Sequence, residues 1–165
     1  MPTTRRGFLD LLDQALDGQA THVPNHVLHR ALALIAGERV EHVEARFDKF
    51  NHEGLSGQIL VFTSTRVLLL TMTDSRVPKS NERSVAVELA PRTALCKVEL
   101  LESSDLTWSQ GPAFPDHGET LVLTYAGGPS DLQVPFTGMA RRHAQTQAFL
   151  RLLPYLLIDD LVAAP

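Results

Sequence analysis

Residues 57–71 read GQILVFTSTRVLLLT: a strand-like run over 58–64, a polar break at Ser64–Thr65, and a second apolar run over 66–72 that opens on Arg66. Two apolar runs of strand length with so short a break predict a tight antiparallel hairpin. Apolar residues at successive positions place hydrophobic side chains on both faces of each strand, since side chains alternate along a strand. Such a pair has to be covered twice, so it belongs at the centre of the fold and not at its rim.

The flanking sequence supplies the cover and the partners. Before the hairpin the hydrophobic period is that of helices. Phe8, Leu9, Leu12 and Leu16 alternate with Asp10, Asp13 and Asp17, which predicts an amphipathic helix over about 5–17, ended by Gly18. Val27, Leu28, Ala31, Leu32 and Ile35 predict a second helix, opened by Pro24 or Asn25 and closed by Gly37. From there to residue 136 the period is 2. RVEHVEARF (39–47), the two hairpin runs, SVAVELA (84–90), LCKVELL (95–101), TLVLTY (120–125) and LQVPF (132–136) give about seven strands. Their connections are short, so they are expected to be mostly antiparallel. Val85, Val87 and Leu89 are expected on one face of their strand, and Cys96, Val98 and Leu100 inward on theirs. A last helix is expected from about 138 to 153, capped by Thr137 and stopped or bent by Pro154. The two N-terminal helices are the expected outer cover of the hairpin, either fixed or displaceable.

Composition narrows the class. The chain has 165 residues and a net charge of −4, with no global basicity that would point to nucleic acid. One cysteine, Cys96, excludes an intramolecular disulfide framework and fits a reducing compartment. TTRRGFLDLL (3–12) resembles a twin-arginine export signal, but three aspartates interrupt the apolar region and no Ala-x-Ala site follows. No apolar run approaches the roughly 18 residues of a membrane span. A soluble, cytoplasmic protein is expected.

Seven antiparallel strands closed by a C-terminal helix resemble the bacterial pleckstrin-homology-like and GRAM-like modules. Gly57, Thr63 and Arg66 occupy the places where such modules carry a glycine, a threonine ending one apolar strand and an arginine leading the next. AGERV (36–40) is similar to their Gly-Glu entry to the first strand. The resemblance covers roughly 37–157. It implies an α+β fold: an N-terminal helical extension (1–36), a seven-stranded antiparallel PH-like barrel with a C-terminal capping helix (37–157), and a tail (158–165). It also implies a binding or adaptor module, since these barrels are scaffolds for lipid or protein contacts.

Three binding readings follow. Phosphoinositide-binding members of that family cradle phosphates with basic residues of the first hairpin, but here Lys49 is countered by Asp48 and Glu53. Residues 38–136 hold nine Lys/Arg against fourteen Asp/Glu, a net of −5 that repels an anionic head group. The only basic concentration is the 74–83 loop, with Arg76, Lys79 and Arg83. A protein partner has better anchors: Trp108 and Phe114 in the 106–118 insertion, and Tyr155 and Leu157 in the terminal YLLIDDLVA (155–163), a surface that could equally pair with a second copy. For Trp108 and Phe114 the alternative is that they plug an end of the barrel. A small-ligand barrel would need an interior cavity, whereas the large Leu, Val and Phe side chains predict a filled one.

Metal and catalytic chemistry have little to build on. His22, His26 and His29 recur near helical spacing, without a further ligand or an orienting carboxylate, and are expected to be exposed. No metal or other cofactor is expected. There is no nucleophile elbow and no phosphate-cradling glycine loop, YAGGPSD (125–131) reads as a hairpin turn, and the strand carboxylates are expected to face outward. The expectation is a non-catalytic protein–protein binding module, with anionic-lipid binding through the 74–83 loop or small-ligand binding as the alternatives.

Overall fold

A computed structural model describes residues 3–16, 23–51, 54–75, 83–101, 120–136, 153, 157–160 and 162. Two helices, α1 (Arg5–Ala15) and α2 (Asn25–Ile35), precede seven strands: β1 (Val40–Asn51), β2 (Gly54–Thr63), β3 (Arg66–Ser75), β4 (Arg83–Pro91), β5 (Leu95–Leu101), β6 (Thr120–Tyr125) and β7 (Leu132–Val134). The class is α+β. The strands pair as two sheets, β1-β2-β3-β4 and β5-β6-β7, and the ladders with a defined register are antiparallel.

The seven strands are those expected, but among the described residues their ladders form two sheets and no closed barrel. Between β4 and β5 the backbone leaves the extended conformation for a 3₁₀ turn, Arg92–Ala94, entered from Pro91, which has no N–H to give to a ladder. The chain divides into two compact units, residues 1–89 and 90–165. The two N-terminal helices fall in the first unit, with β1, β2 and β3.

In the first unit the helices follow from their ends as much as from their stripes. Thr4 caps α1, its hydroxyl accepting the Gly7 N–H at 3.1 Å. The helix buries Phe8, Leu12 and Ala15. Ala36 ends α2 in the left-handed region (φ 51°) and its N–H returns to the Leu32 carbonyl, with Gly37 also at positive φ. Both helices share one core with the sheet: Val43 and Ala45 of β1, Ile59 and Val61 of β2, and Leu68, Leu70 and Met72 of β3. Fully burying a side chain of this size contributes about 1.5–3 kcal/mol. The Arg30 guanidinium of α2 also donates to the Val85 carbonyl of β4, 2.9 Å away.

The opposite face of the hairpin is buried too, through Leu60, Phe62, Val67 and Leu69. The central, doubly covered hairpin read from residues 58–72 is what the chain forms. Val85 and Val87 pack half-buried on the helix-side core, while Leu89 is exposed.

Gly57 has a steric reason. A Cβ there would overlap the Arg46 carbonyl oxygen and press on Phe47, where β1 runs close beside β2 next to a register shift at Phe47/Lys49.

In the second unit Leu95, Leu123, Tyr125, Leu132, Val134 and Phe136 are buried. The 125–131 segment is the expected turn, with Gly127 at φ 69° and the Gly128 N–H bound to the Tyr125 carbonyl. Cys96 departs from expectation. The β5–β6 register shifts between Leu95 and Lys97, so Cys96 sits in a bulge and is exposed, its Sγ 3.3 Å from the Thr124 carbonyl. Past the bulge, Val98 is only half-buried. Of the expected last helix, 138–152 lies outside the described residues, while positions 153, 157–160 and 162 are helical.

Candidate functional site

Three of the residues that carried the family resemblance, Glu38, Thr63 and Arg66, meet at the β2–β3 turn. Glu38, in the link from α2 to β1, extends its carboxylate to that turn. One oxygen accepts the hydroxyls of Thr63 at 2.6 Å and Thr65 at 2.8 Å, and the other lies 3.0 Å from Nε of Arg66. Thr63 Oγ1 in turn accepts the Arg66 N–H at 2.9 Å, and Arg66 also donates to the Leu34 carbonyl at 3.3 Å. The Glu38 carbonyl accepts the Thr3 N–H, and the Thr3 hydroxyl accepts the Val40 N–H. Partial burial pushes the Glu38 carboxyl up, but the Thr63 and Thr65 hydroxyls and the Arg66 charge outweigh it and hold the group below the ordinary glutamate value. Each charge is answered inside the cluster. What it does is join the N-terminal arm, the α2–β1 link and the hairpin turn.

A second cluster was not legible in the sequence. On the hairpin face away from the helices, β1 presents His42, Glu44 and Arg46. His42 and Glu44 are 5 % and 1 % exposed, with Nε2 and Oε1 2.9 Å apart and the Phe62 ring beside the imidazole. Arg46 donates to Gln58 at 2.7 Å, and Gln58 donates weakly to Thr71 at 3.4 Å, so the polar row runs from β1 across β2 to β3. Glu44 contradicts the expectation that strand carboxylates face outward. Alternation with Val43 and Ala45 correctly separates the two faces of β1 but cannot tell that both are covered. The hydrogen bond between His42 and Glu44 gives two buried polar groups a partner in each other, and removing one side of a buried hydrogen bond costs about 1–3 kcal/mol.

The third cluster ties the C-terminal residues to the second sheet. Arg92, in the 3₁₀ turn, holds Asp160 through Nε at 3.0 Å, and both side chains are largely buried. Tyr125 is 2 % exposed and its hydroxyl has no hydrogen-bond partner among the described residues. Burial pushes that phenol well above the ordinary tyrosine value; the Asp160 charge adds to the rise and Arg92 offsets part of it. The helical residues here are two-sided: Leu153 and Leu157 are buried, while Ile158 and Val162 are 57 % and 80 % exposed.

Of the residues named from sequence, Leu157 is 3 % exposed and faces inward. Trp108, Phe114, Tyr155, Arg76 and Lys79 lie outside the described residues. Arg83 begins β4, its side chain outside the description. His26 and His29 are exposed on α2, and His22 is not among the described residues. No group of three or more metal-ligating side chains occurs among the described residues, and no helix there is long and apolar enough to cross a membrane. The chain matches no protein-family model, no curated protein and no solved structure.

Proposed function

We propose that the chain is a non-catalytic protein–protein binding module of pleckstrin-homology-like fold. The fold reading is supported by seven strands in the order four then three, followed by helical residues. It is supported also by the resemblance residues: Thr63, Arg66 and Glu38 form one structural lock, and Gly57 stands where only a glycine fits.

The observation that carries the binding reading is the two-sided C-terminal segment. Leu153 and Leu157, one turn apart, use one side to bury themselves. Ile158 and Val162, also one turn apart, leave an apolar stripe in water beside the exposed Asp159. Apolar side chains exposed together at helical spacing are what an interface anchors on.

The test is affinity capture with the full chain as bait, run beside Ile158→Asp/Val162→Asp and Trp108→Ala, together with sedimentation of the pure protein to detect self-association. A partner or a dimer lost from the double variant supports the reading. Co-sedimentation with anionic but not neutral vesicles, fading with salt, overturns it in favour of the 74–83 loop.

A further inference from the structure

The outward stripe requires that something fix the rotation of the segment that bears it. Burial of Leu153 and Leu157 is non-directional: it rewards apolar area removed from water and is indifferent to a modest roll of the backbone. At about 100° per residue, a roll of one residue would exchange Leu157 for Ile158, apolar for apolar, so burial at that position does not by itself choose between the two. Directionality has to come from a polar contact. Among the described residues of the second unit, one such contact is the ion pair between Arg92 and Asp160, with side chains 8 % and 13 % exposed. Asp160 is two residues from Ile158 and two from Val162, on the opposite side of the turn from both. The carboxylate can reach the guanidinium only when these two residues point away.

Resting on the binding reading above, we propose that Arg92 is the positioning residue of the interaction stripe: through Asp160 it selects which side of the C-terminal helical segment faces solvent. A buried charge pair is well suited to this. Its net effect on stability is small or negative relative to apolar residues of the same volume, whereas its geometry admits one register. The anchor is itself placed by the fold, because Arg92 opens the 3₁₀ turn that leads directly into β5. Ala94, at the end of that turn, accepts the Ala126 N–H through its carbonyl, so the anchor is also tied to the end of β6.

The experiment reads orientation directly. In a Cys96→Ser background, Leu157→Cys and Ile158→Cys are compared for maleimide labelling in the full chain, with Arg92 present, with Arg92→Lys, and with Arg92→Met/Asp160→Leu. The paired apolar replacement leaves no buried charge behind and so keeps the fold testable. With Arg92 in place, the thiol at position 158 is expected to label at least about tenfold faster than that at 157, which must wait for local opening. Arg92→Lys should keep most of that ratio, and Arg92→Met/Asp160→Leu should bring it to within about threefold. A ratio unchanged in the apolar double variant, with helical circular dichroism intact, overturns the proposal, because the leucines alone would then set the register. Amide hydrogen exchange at 157–160, with and without Arg92→Met/Asp160→Leu, checks that the segment stays helical, so that a changed labelling ratio reports rotation and not unfolding. No partner enters either measurement, so the positioning role can fail while Ile158→Asp/Val162→Asp still loses a partner, and the reverse.

Discussion

Replacing Glu38 by alanine should unlock the β2–β3 turn, and the structure sets the size of the effect. The Thr63 hydroxyl is fully buried and donates to the carboxylate at 2.6 Å. A hydrogen bond to a charged group contributes about 1.5–3 kcal/mol. Thr65 and Arg66 are more exposed, the Arg66 side chain by 40 %, and their contacts together add on the order of 0.5 kcal/mol. Against this, Thr63 keeps a fallback acceptor in the Arg66 carbonyl at 3.2 Å, which recovers part of the loss. Glu38→Ala is therefore expected to cost about 2 kcal/mol, and Glu38→Gln, which keeps an acceptor but no charge, about 1 kcal/mol. The folded carboxyl lies below its unfolded value, so its contribution is fully present above the unfolded value of about 4.3 and is lost as pH falls through the folded one. Urea unfolding at neutral pH and at about pH 3 measures both effects, with hydrogen exchange at the Arg66 amide as the local probe. A difference below about 0.5 kcal/mol at neutral pH, or one that does not shrink in acid, would refute the lock.

Gly57→Ala should cost at least about 1–3 kcal/mol, since the atom in the way is backbone and β1 must move, and chemical denaturation reads it. Tyr125→Phe removes a buried hydroxyl that has no partner among the described residues, so stability should stay level or rise by up to about 1 kcal/mol; a loss above about 1 kcal/mol would mean the hydroxyl is bonded. Cys96 should react with a thiol reagent in the folded protein as an exposed cysteine does, and a requirement for denaturant would contradict the bulge.

Element order was legible because each signal came from local chemistry. The aspartates on α1, the Gly37 stop, the period-2 runs and the Gly127–Gly128 turn needed no knowledge of the rest of the chain. What the sequence could not carry was context. Period 2 says that His42 and Val43 face opposite ways and nothing about whether both sides are covered, so the buried polar row on β1 was invisible. Alternation also presumes an unbroken register, and one extra residue at Cys96 turned an inward thiol outward. The candidate site divided along similar lines. Glu38, Thr63 and Arg66 form a pattern in the sequence, but spacing alone does not say that they bond to one another. Leu157 and the outward Ile158 both lie in the terminal apolar segment 155–163, but a run of apolar letters does not say which of them turns inward.

The shared core of α1, α2 and the hairpin has a consequence for how the protein is made. Helices of 11 residues are marginal in water without a surface to pack on. The core that Phe8 and Leu12 join also includes Ile59, Val61, Leu68 and Leu70, which are synthesised about 50 to 60 residues later. At about 5–20 residues per second that is several seconds of ribosome time, before counting the length of the exit tunnel. During that interval α1 and α2 have only part of their core, α1 with β1 but without the hairpin, and the apolar stripe is open to whatever chaperone waits at the ribosome until β3 has emerged.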